Sequence, residues 1–465
     1  MTRRFQIKTV PSHLLDKAGR RLDCGPYMSG VLEAMERLAR LPNEPLSRVT
    51  TGIFHAGRES RQWVESPDHG VPFLGSTDIL AADLTRLPYL AKKQVLSNPS
   101  FILQEGYTLI TRSGTIGRMA YCRSDMDGMA CSEHAMRVVP DREAILPGYL
   151  YAFLSGRFGV PLVVSGTYGS IVQSIEPEHI AGLPVPRLGE VEQRAHDLVQ
   201  HAARNRVKAS RAAEEGILLF QSAARIPPLP PIQLGSVPFG ATTVPVSACL
   251  SRLDGGFHSG YHSAAITSLE AGPLGTVTVR GLGVEIVEPK RFKRIHISDP
   301  VHGLPLFGTA ALLWADPLPS YMIPKEMKGI DDLLVDENTV LIPRSGQISG
   351  ILGTAILPFG DVVGAAVSED AIRIRCENPT QAGFFYVALS SEYGRRQLKA
   401  RAYGSSIPHL DVTQIGSVVI PKFSDTEMST IGGLGRQSAA LRDAAVACER
   451  EARLLVELAI ERGDA

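Results

Sequence analysis

The sequence predicts an α+β protein of two tandem, mostly β domains, each followed by a long helix, with the two helices pairing as an antiparallel coiled coil. Three observations predict it: an ordered internal repeat, short apolar runs punctuated by Gly and Pro within each copy, and matching heptad stripes at the end of each copy.

The repeat is the strongest of the three. RLDCG at Arg21–Gly25 returns as RLDGG at Arg252–Gly256, and ITRSG at Ile110–Gly114 as IPRSG at Ile342–Gly346. CSEHAMRV at Cys131–Val138 returns as VSEDAIRI at Val367–Ile374, and PGYLYAFLS at Pro147–Ser155 as AGFFYVALS at Ala382–Ser390. TYGS at Thr167–Ser170 returns as AYGS at Ala402–Ser405, and LPVP at Leu183–Pro186 as VVIP at Val418–Pro421. The offset stays within 231 to 236 residues, and the order is kept. One match is chance; six in order indicate a duplicated unit. Between the matches, residues 53–105 and 284–336 share little beyond scattered positions such as Gly75 and Gly308. A duplicated framework with varied loops suits two related modules that bind different things.

Each copy opens on its Arg-Leu-Asp segment and, in copy one, a short helical stretch at Val31–Leu41. Apolar runs at Pro72–Gly75, Tyr107–Thr111 and Ile116–Cys122 read as strands, and the apolar, aromatic Gly148–Leu154 and Gly383–Leu389 as helices. In Glu190–Phe220 a 4-3-4-3 spacing picks out Val191, Ala195, Leu198, Ala202, Asn205, Ala209, Ala212, Gly216 and Leu219. In Thr430–Arg462 it picks out Leu434, Ser438, Leu441, Ala445, Cys448, Ala452, Leu455 and Ala459. These are heptad stripes of mostly small residues, on rods of about 45–50 Å, and they predict close pairing of the two helices. The alternative is that each helix packs on its own domain. The IPPLPP run at Ile226–Pro231 ends the first helix and stiffens the connection. The expected organisation is therefore a first domain at 1–188, a helix at 189–225, a second domain at 226–423 with its linker at 226–231, and a second helix at 424–465.

At 465 residues, 44% hydrophobic and 21% charged, the chain reads as globular protein of more than one domain. No run approaches the length of a membrane span, and MTRRFQIKTV lacks a signal-peptide core, so a cytoplasmic location is expected. The six cysteines form no C-x-x-C pair and the 12 histidines no H-E-x-x-H, so no metal site is expected. There is no G-x-x-x-x-G-K-[ST] for ATP, and Asn98-Pro99 continues as Ser-Phe rather than as an amino-methyltransferase motif. No cofactor and no catalytic residue is expected. A formal net charge of zero counts against indiscriminate nucleic-acid binding, but charge can be segregated.

The candidate DNA contacts lie in the repeated turns. Arg112-Ser113-Gly114 and Arg344-Ser345-Gly346 each follow a strand-like run, where an Arg can clamp phosphate or read guanine O6 and N7. The alternative is a tight turn whose Arg pairs internally, for example with Glu133 or Glu369. Thr115 and Gln347 occupy matching positions with different chemistry, as different base preferences would require. Tyr168 and Ser170, with Tyr403 and Ser405, can place hydroxyls on phosphates or act as packing turns. Lys290, Arg291, Lys293 and Arg294 form a basic stretch that suits the DNA backbone or a solvated loop. Asp23 and Asp254, repeated a domain apart, read as a cap or an Arg partner rather than a catalytic pair.

The ordered set resembles the specificity subunit of type I restriction-modification systems. The residues that carry it are RSGTIG at Arg112–Gly117, PGYLYAFLS at Pro147–Ser155, YGSIVQSI at Tyr168–Ile175 and LPVPRLGEVEQ at Leu183–Gln193, with RSGQISG at Arg344–Gly350, YGSSIPHL at Tyr403–Leu410 and VVIPKFSDTE at Val418–Glu427. The resemblance covers nearly the whole chain. Copy two departs from it at Ile407-Pro408 and lacks a counterpart of Gln193. The resemblance implies two target-recognition domains, each reading one half of a split, asymmetric DNA site, with the paired helices as a ruler. It implies double-stranded DNA, two methyltransferase subunits and a motor-nuclease subunit as partners. The competing readings are a structural scaffold with duplicated β modules and an enzyme with an unrecognised site.

Overall fold

The computed structural model describes residues 9–12, 15, 25–28, 30–165, 174–229, 241, 243–250, 252–404 and 406–463. The chain divides into two compact units: Met1–Val207 with Ala444–Ala465, and Lys208–Asp443. No helix among the described residues is long and apolar enough to cross a membrane.

In unit 1, helix α1 (Val31–Leu38) precedes β1 (Asn43–Pro45), β2 (Thr50–Phe54), β3 (Trp63–Val64), β4 (Gly70–Leu74), β5 (Tyr89–Ala91), β6 (Thr108–Thr111), β7 (Met119–Tyr121), β8 (Ala130–Cys131) and β9 (Ala135–Pro140). Helices α2 (Pro147–Ser155) and α3 (Gly159–Ser165), then β10 (Pro184–Pro186), lead into α4 (Glu190–Ala224). One sheet runs β2-β9-β6-β7, antiparallel throughout; a second runs β3-β5-β4-β8, with β4 and β8 parallel; β1 and β10 form a ribbon.

Unit 2 repeats this plan. Its helix α5 (Gly260–Glu270) is followed by β11 (Thr276–Thr278), β12 (Glu285–Val287), β13 (Gly303–Phe307), β14 (Tyr321–Pro324), β15 (Thr339–Pro343), β16 (Ala366–Val367) and β17 (Ala371–Arg375). Helices α6 (Pro379–Ser390) and α7 (Glu392–Arg401), then β18 (Val419–Pro421), lead into α8 (Asp425–Arg462). The sheets are β12-β17-β15, β14-β13-β16 and β11-β18. The register matches the sequence repeat: Thr108 faces Val138 as Val340 faces Ile374, and Phe73 pairs in parallel with Ala130 as Leu306 does with Ala366.

The repeat extends further than its six obvious matches. The intervals read as divergent contain β4 and β13, which are the same strand: HGVPFLG at His69–Gly75 answers HGLPLFG at His302–Gly308, with an identical pattern of burial. Lys92 Nζ donates to the carbonyl of Asp68 at 2.8 Å, and Lys325 Nζ to that of Val301 at 3.0 Å. The substituted apolar residues, Phe73-Leu74 against Leu306-Phe307, hide the match from residue-by-residue comparison but fill the same volume.

One arginine locks the two sheets of each unit. Arg137 on β9 is fully buried and donates to the carbonyls of Ser132 (2.8 Å), Ala135 (2.6 Å), Cys131 (2.5 Å) and Phe101 (3.3 Å). Arg373 on β17 does the same with Ser368 (3.0 Å), Ala371, Val367 (2.5 Å) and Leu333 (3.3 Å). A guanidinium can satisfy several carbonyls in one plane, which fixes the sharp turn between β8 and β9 and its twin between β16 and β17.

The long helices pack at small residues. In unit 1, Arg206 of α4 pairs with Glu449 of α8 at 2.9 Å, and Ala195, Val199, Ala203, Ala452 and Val456 join the core around Tyr149 and Phe153. In unit 2 a Cβ placed on Gly216 of α4 would lie 3.4 Å from Leu434 Cβ, while the Phe220 ring packs at a tilt against Phe423 with centroids 5.3 Å apart, so there α4 and the start of α8 run antiparallel. The helix α6 packs against α8 through glycine: a Cβ on Gly383 would stand 2.2 Å from the carbonyl oxygen of Gly432. The expected stripes are half right. Ser438, Ala445, Ala452 and Ala459 are buried, but Arg442 and Glu449 are buried where Leu441 and Cys448 were expected, and Arg206 where Asn205 was. At Arg206 and Glu449 the shift arises because the two charged residues pair with each other in the seam.

Candidate nucleic-acid interface

In each unit the loop geometry brings three separated turns to one place. In unit 1 the backbone N–H of Arg112 donates to the carbonyl of His134 at 2.9 Å, and the N–H of Ile175 donates to the carbonyl of Arg112 at 3.1 Å. In unit 2 Arg344 N–H donates to Asp370 at 2.9 Å, and Leu410 N–H to Arg344 at 2.7 Å. The Arg-Ser-Gly turn, the turn after Ser-Glu and the tail of the Tyr-Gly-Ser segment therefore meet, and the duplication places the same three turns together twice.

The Arg-Ser-Gly arginines are engaged within the protein. Arg112 Nε donates to the carbonyl of Ile175 at 3.0 Å and its Nη2 pairs with Glu176, which His55 Nε2 also approaches at 3.4 Å. Burial pushes the Glu176 carboxyl up, but Arg112, the Ser174 hydroxyl and His55 outweigh it and hold it below the usual carboxylate range. Arg344 Nη1 pairs with Glu288. The partners are thus not Glu133 and Glu369, the acids suggested by the sequence. The two arginines orient the turn.

The remaining expected positions divide. Gly114, at φ 80°, and Gly346, at φ 137°, adopt conformations that favour glycine and have open space around them. Thr115 and Gln347 are exposed at the tips of the turns. Ser113 Oγ lies 2.6 Å from His134 Nδ1, while Ser345 forms a backbone bridge with His409. Tyr403 is 46% exposed, and its hydroxyl donates to Asp411 at 3.4 Å. Tyr168, Ser170 and Ser405 lie outside the described residues, as does Asp23. Asp254 caps the backbone N–H of Phe257 at 2.9 Å and pairs with Arg252, as a structural role requires. Lys290, Arg291 and Lys293 are exposed.

A further set of residues borders these turns. In unit 1 a cleft of about 660 Å³ is lined by Arg58, Glu59, Ser60, Arg61, Trp63, Glu133 and His134. Arg61 Nη2 pairs with Glu133 at 2.9 Å and its guanidinium lies 4.9 Å from the Phe73 ring centroid. Burial pushes the Glu133 carboxyl up, yet backbone and Arg61 hydrogen bonds hold it below the usual range. In unit 2 Arg294 makes the equivalent pair with Glu369 at 3.0 Å and reaches Asp370 at 3.8 Å. The spacing Arg-x-x-Arg-x-Trp at Arg58–Trp63 and Arg-x-x-Arg-x-His at Arg291–His296 is legible once the His-Gly strands are aligned. Among the described residues no cluster of His, Cys, Asp or Glu could hold a metal ion.

Neither a protein-family model nor any curated protein matches the sequence. Three solved structures are similar to the chain over most of its length. The crystal structure of a type I restriction-modification system S subunit from M. genitalium aligns at 13% identity and a TM-score of 0.33, covering 91% of this chain and 96% of that one. A structure described for complex assembly and conformational transition of the type I R-M system aligns at 14% identity and a TM-score of 0.29, covering 91% of this chain and 98% of that one. The HsdS subunit from Thermoanaerobacter tengcongensis aligns at 16% identity and a TM-score of 0.28, covering 92% of this chain and 95% of that one. These are distant likenesses in both sequence and coordinates. The duplicated turns and their ion pairs stand on this chain's own residues.

Proposed function

We propose that this chain is a non-catalytic, sequence-reading DNA-binding subunit in which each unit reads one half of a split, asymmetric site. One observation carries the reading: two units share one framework, down to a buried arginine with four equivalent carbonyl partners, while exposed residues beside their turns differ in chemistry. A scaffold that binds one partner twice would have no use for that difference. Different halves of a DNA site need it, since base edges differ in donors and acceptors.

The exposed Arg58, Lys290, Arg291 and Lys293 suit phosphate contacts, which position the reader without carrying sequence information. Thr115, Gln347 and Tyr403 suit contacts near the groove. The chemistry then belongs to companions, which by resemblance are two methyltransferase subunits and a restriction or translocase subunit. The gap between halves is assigned to the long helices.

The test is selection from a random duplex pool by the full-length chain, purified with whatever subunits accompany it. Enrichment of two short, different halves at a fixed gap, with binding that weakens steeply as salt rises, is expected. Failure to enrich any motif, or binding indifferent to salt, overturns the reading.

A further inference from the structure

We infer that the residue after the repeated Ser-Glu, His134 in unit 1 and Asp370 in unit 2, is a specificity-determining position that reads opposite hydrogen-bonding edges in the two halves of the site. The inference rests on the DNA-reading role proposed above and goes beyond it by assigning residues and base chemistry.

The backbone and the flanking ion pair around this position are duplicated. The preceding acids, Glu133 and Glu369, pair with Arg61 and Arg294 at 2.9 and 3.0 Å. The carbonyl of each residue accepts the N–H of Arg112 or Arg344 at 2.9 Å. Three residues further on, Arg137 and Arg373 clamp both turns from below. Backbone and neighbours thus hold the two side chains at equivalent places, and both stand well clear of the core, each 45% exposed.

The side chains differ in kind. Ser113 Oγ lies 2.6 Å from His134 Nδ1, and Glu133 Oε1 lies 3.4 Å from Nε2. Glu133 Oε1 approaches Nε2 as an ion-pair contact without a hydrogen bond, so the tautomer in which the Ser113 hydroxyl donates to Nδ1 keeps the proton on Nε2 and leaves that N–H as a donor for a bound base. Asp370 is an acceptor: an ionised carboxylate has no proton to give. Its nearby groups are Ser368 Oγ at 3.5 Å and Arg294 at 3.8 Å, which leave acceptor capacity on its two oxygens.

In the major groove guanine offers only acceptors at N7 and O6, while cytosine N4 and adenine N6 offer donors. A donor at His134 therefore selects guanine or another acceptor edge in its half-site, and an acceptor at Asp370 selects cytosine or adenine in the other. The flanking ring positions vary in parallel. Trp63, half-exposed beside the first cleft, is replaced by His296, which stacks on Tyr321 at 3.8 Å.

The test repeats the duplex selection with His134→Asp, Asp370→His and Asp370→Asn in the full-length chain with its accompanying subunits. Thermal melting of each variant establishes that it folds. His134→Asp is expected to change one position of one half-site towards cytosine or adenine, by about tenfold or more in relative enrichment, with the other half and the gap unchanged. Asp370→His is expected to change one position of the other half towards guanine, and Asp370→Asn, which keeps size and adds a donor, to relax that position. If the unaltered chain enriches a split motif and the folded variants enrich the same motif, the assignment is overturned while the DNA-reading role stands. A variant that weakens binding to every duplex without altering the motif makes the position a phosphate or packing contact and also overturns it. If the unaltered chain enriches nothing, the DNA-reading role itself fails and this assignment with it.

Discussion

The turns at Arg137 and Arg373 are alike in almost every hydrogen bond, while three residues earlier His134 and Asp370 share none of their side-chain chemistry. The contrast teaches where each unit resists change. Buried donors and acceptors must be paired, so a turn held by one guanidinium keeps that guanidinium. An exposed residue on the same turn keeps only side contacts, His134 with Ser113 and Asp370 with Arg294, so its chemistry can follow what the bound molecule requires.

The largest expected effect breaks the shared half of that comparison. Arg137→Ala and Arg373→Ala each strip four carbonyls of their buried guanidinium donor, although those of Ser132, Ser368 and Leu333 keep a backbone N–H, and each should lower stability by about 4 kcal/mol, in equal measure for the two units. Chemical denaturation of the two variants checks this. A large loss for one and none for the other would mean that the clamps are not equivalent.

The helices supply a sharper, asymmetric case. Arg206 and Arg442 occupy equivalent positions in the repeat, but Arg206 meets Glu449 at 2.9 Å whereas, among the described residues, Arg442 reaches only the Tyr386 hydroxyl at 3.4 Å. Arg206→Leu strands a buried carboxylate and should cost about 3 kcal/mol. Arg442→Leu removes a weak contact and should cost about 1 kcal/mol or less. Burial pushes the Glu449 carboxyl up, but Arg206 and Arg453 outweigh it and hold it below its ordinary value of 4.5. The pair's contribution is therefore full above that value and is lost as pH falls through the lower folded value. The difference in melting temperature between the unaltered chain and Glu449→Gln should be constant from neutral pH to about pH 5 and close as the medium becomes more acid.

Close helix contact in unit 2 comes next. Gly432→Ala would put a Cβ 2.1 Å from the carbonyl oxygen of Thr380, and it should cost about 2 kcal/mol. In unit 1 His196 occupies the equivalent place and accepts the N–H of Gly148 at 3.0 Å through Nδ1, so His196→Ala should cost less, about 1 kcal/mol. Thermal melts of both variants rank them. The smallest effect is at the cleft, where Arg61 is 31% exposed in its pair with Glu133. Arg61→Ala should cost under about 1 kcal/mol of stability while weakening DNA binding.

Much of this was legible in the sequence, and the failures share a cause. The duplicated unit follows from matching residues at a nearly fixed offset, and the approximate strand and helix positions from apolar patterning. The strands β4 and β13 were not recognised as equivalent because their core residues exchange places while volume is conserved. The seam of the long helices was displaced by one residue because apolar patterning prefers Leu441 and Cys448 to Arg442 and Glu449. A charged residue in the interior is visible only when its partner, 243 residues away for Arg206 and Glu449, is known. The cleft at Arg61 and Glu133 was missed for the same reason: it is assembled across 72 residues, and the sequence names both partners without joining them.

The most direct test of the central claim is the modified-base map of host DNA with this chain present and with it deleted. Two unlike readers with companion methyltransferases predict a methylated motif of two different short halves at a constant gap, lost on deletion. An unchanged map, or loss of a continuous or perfectly palindromic motif, would contradict it.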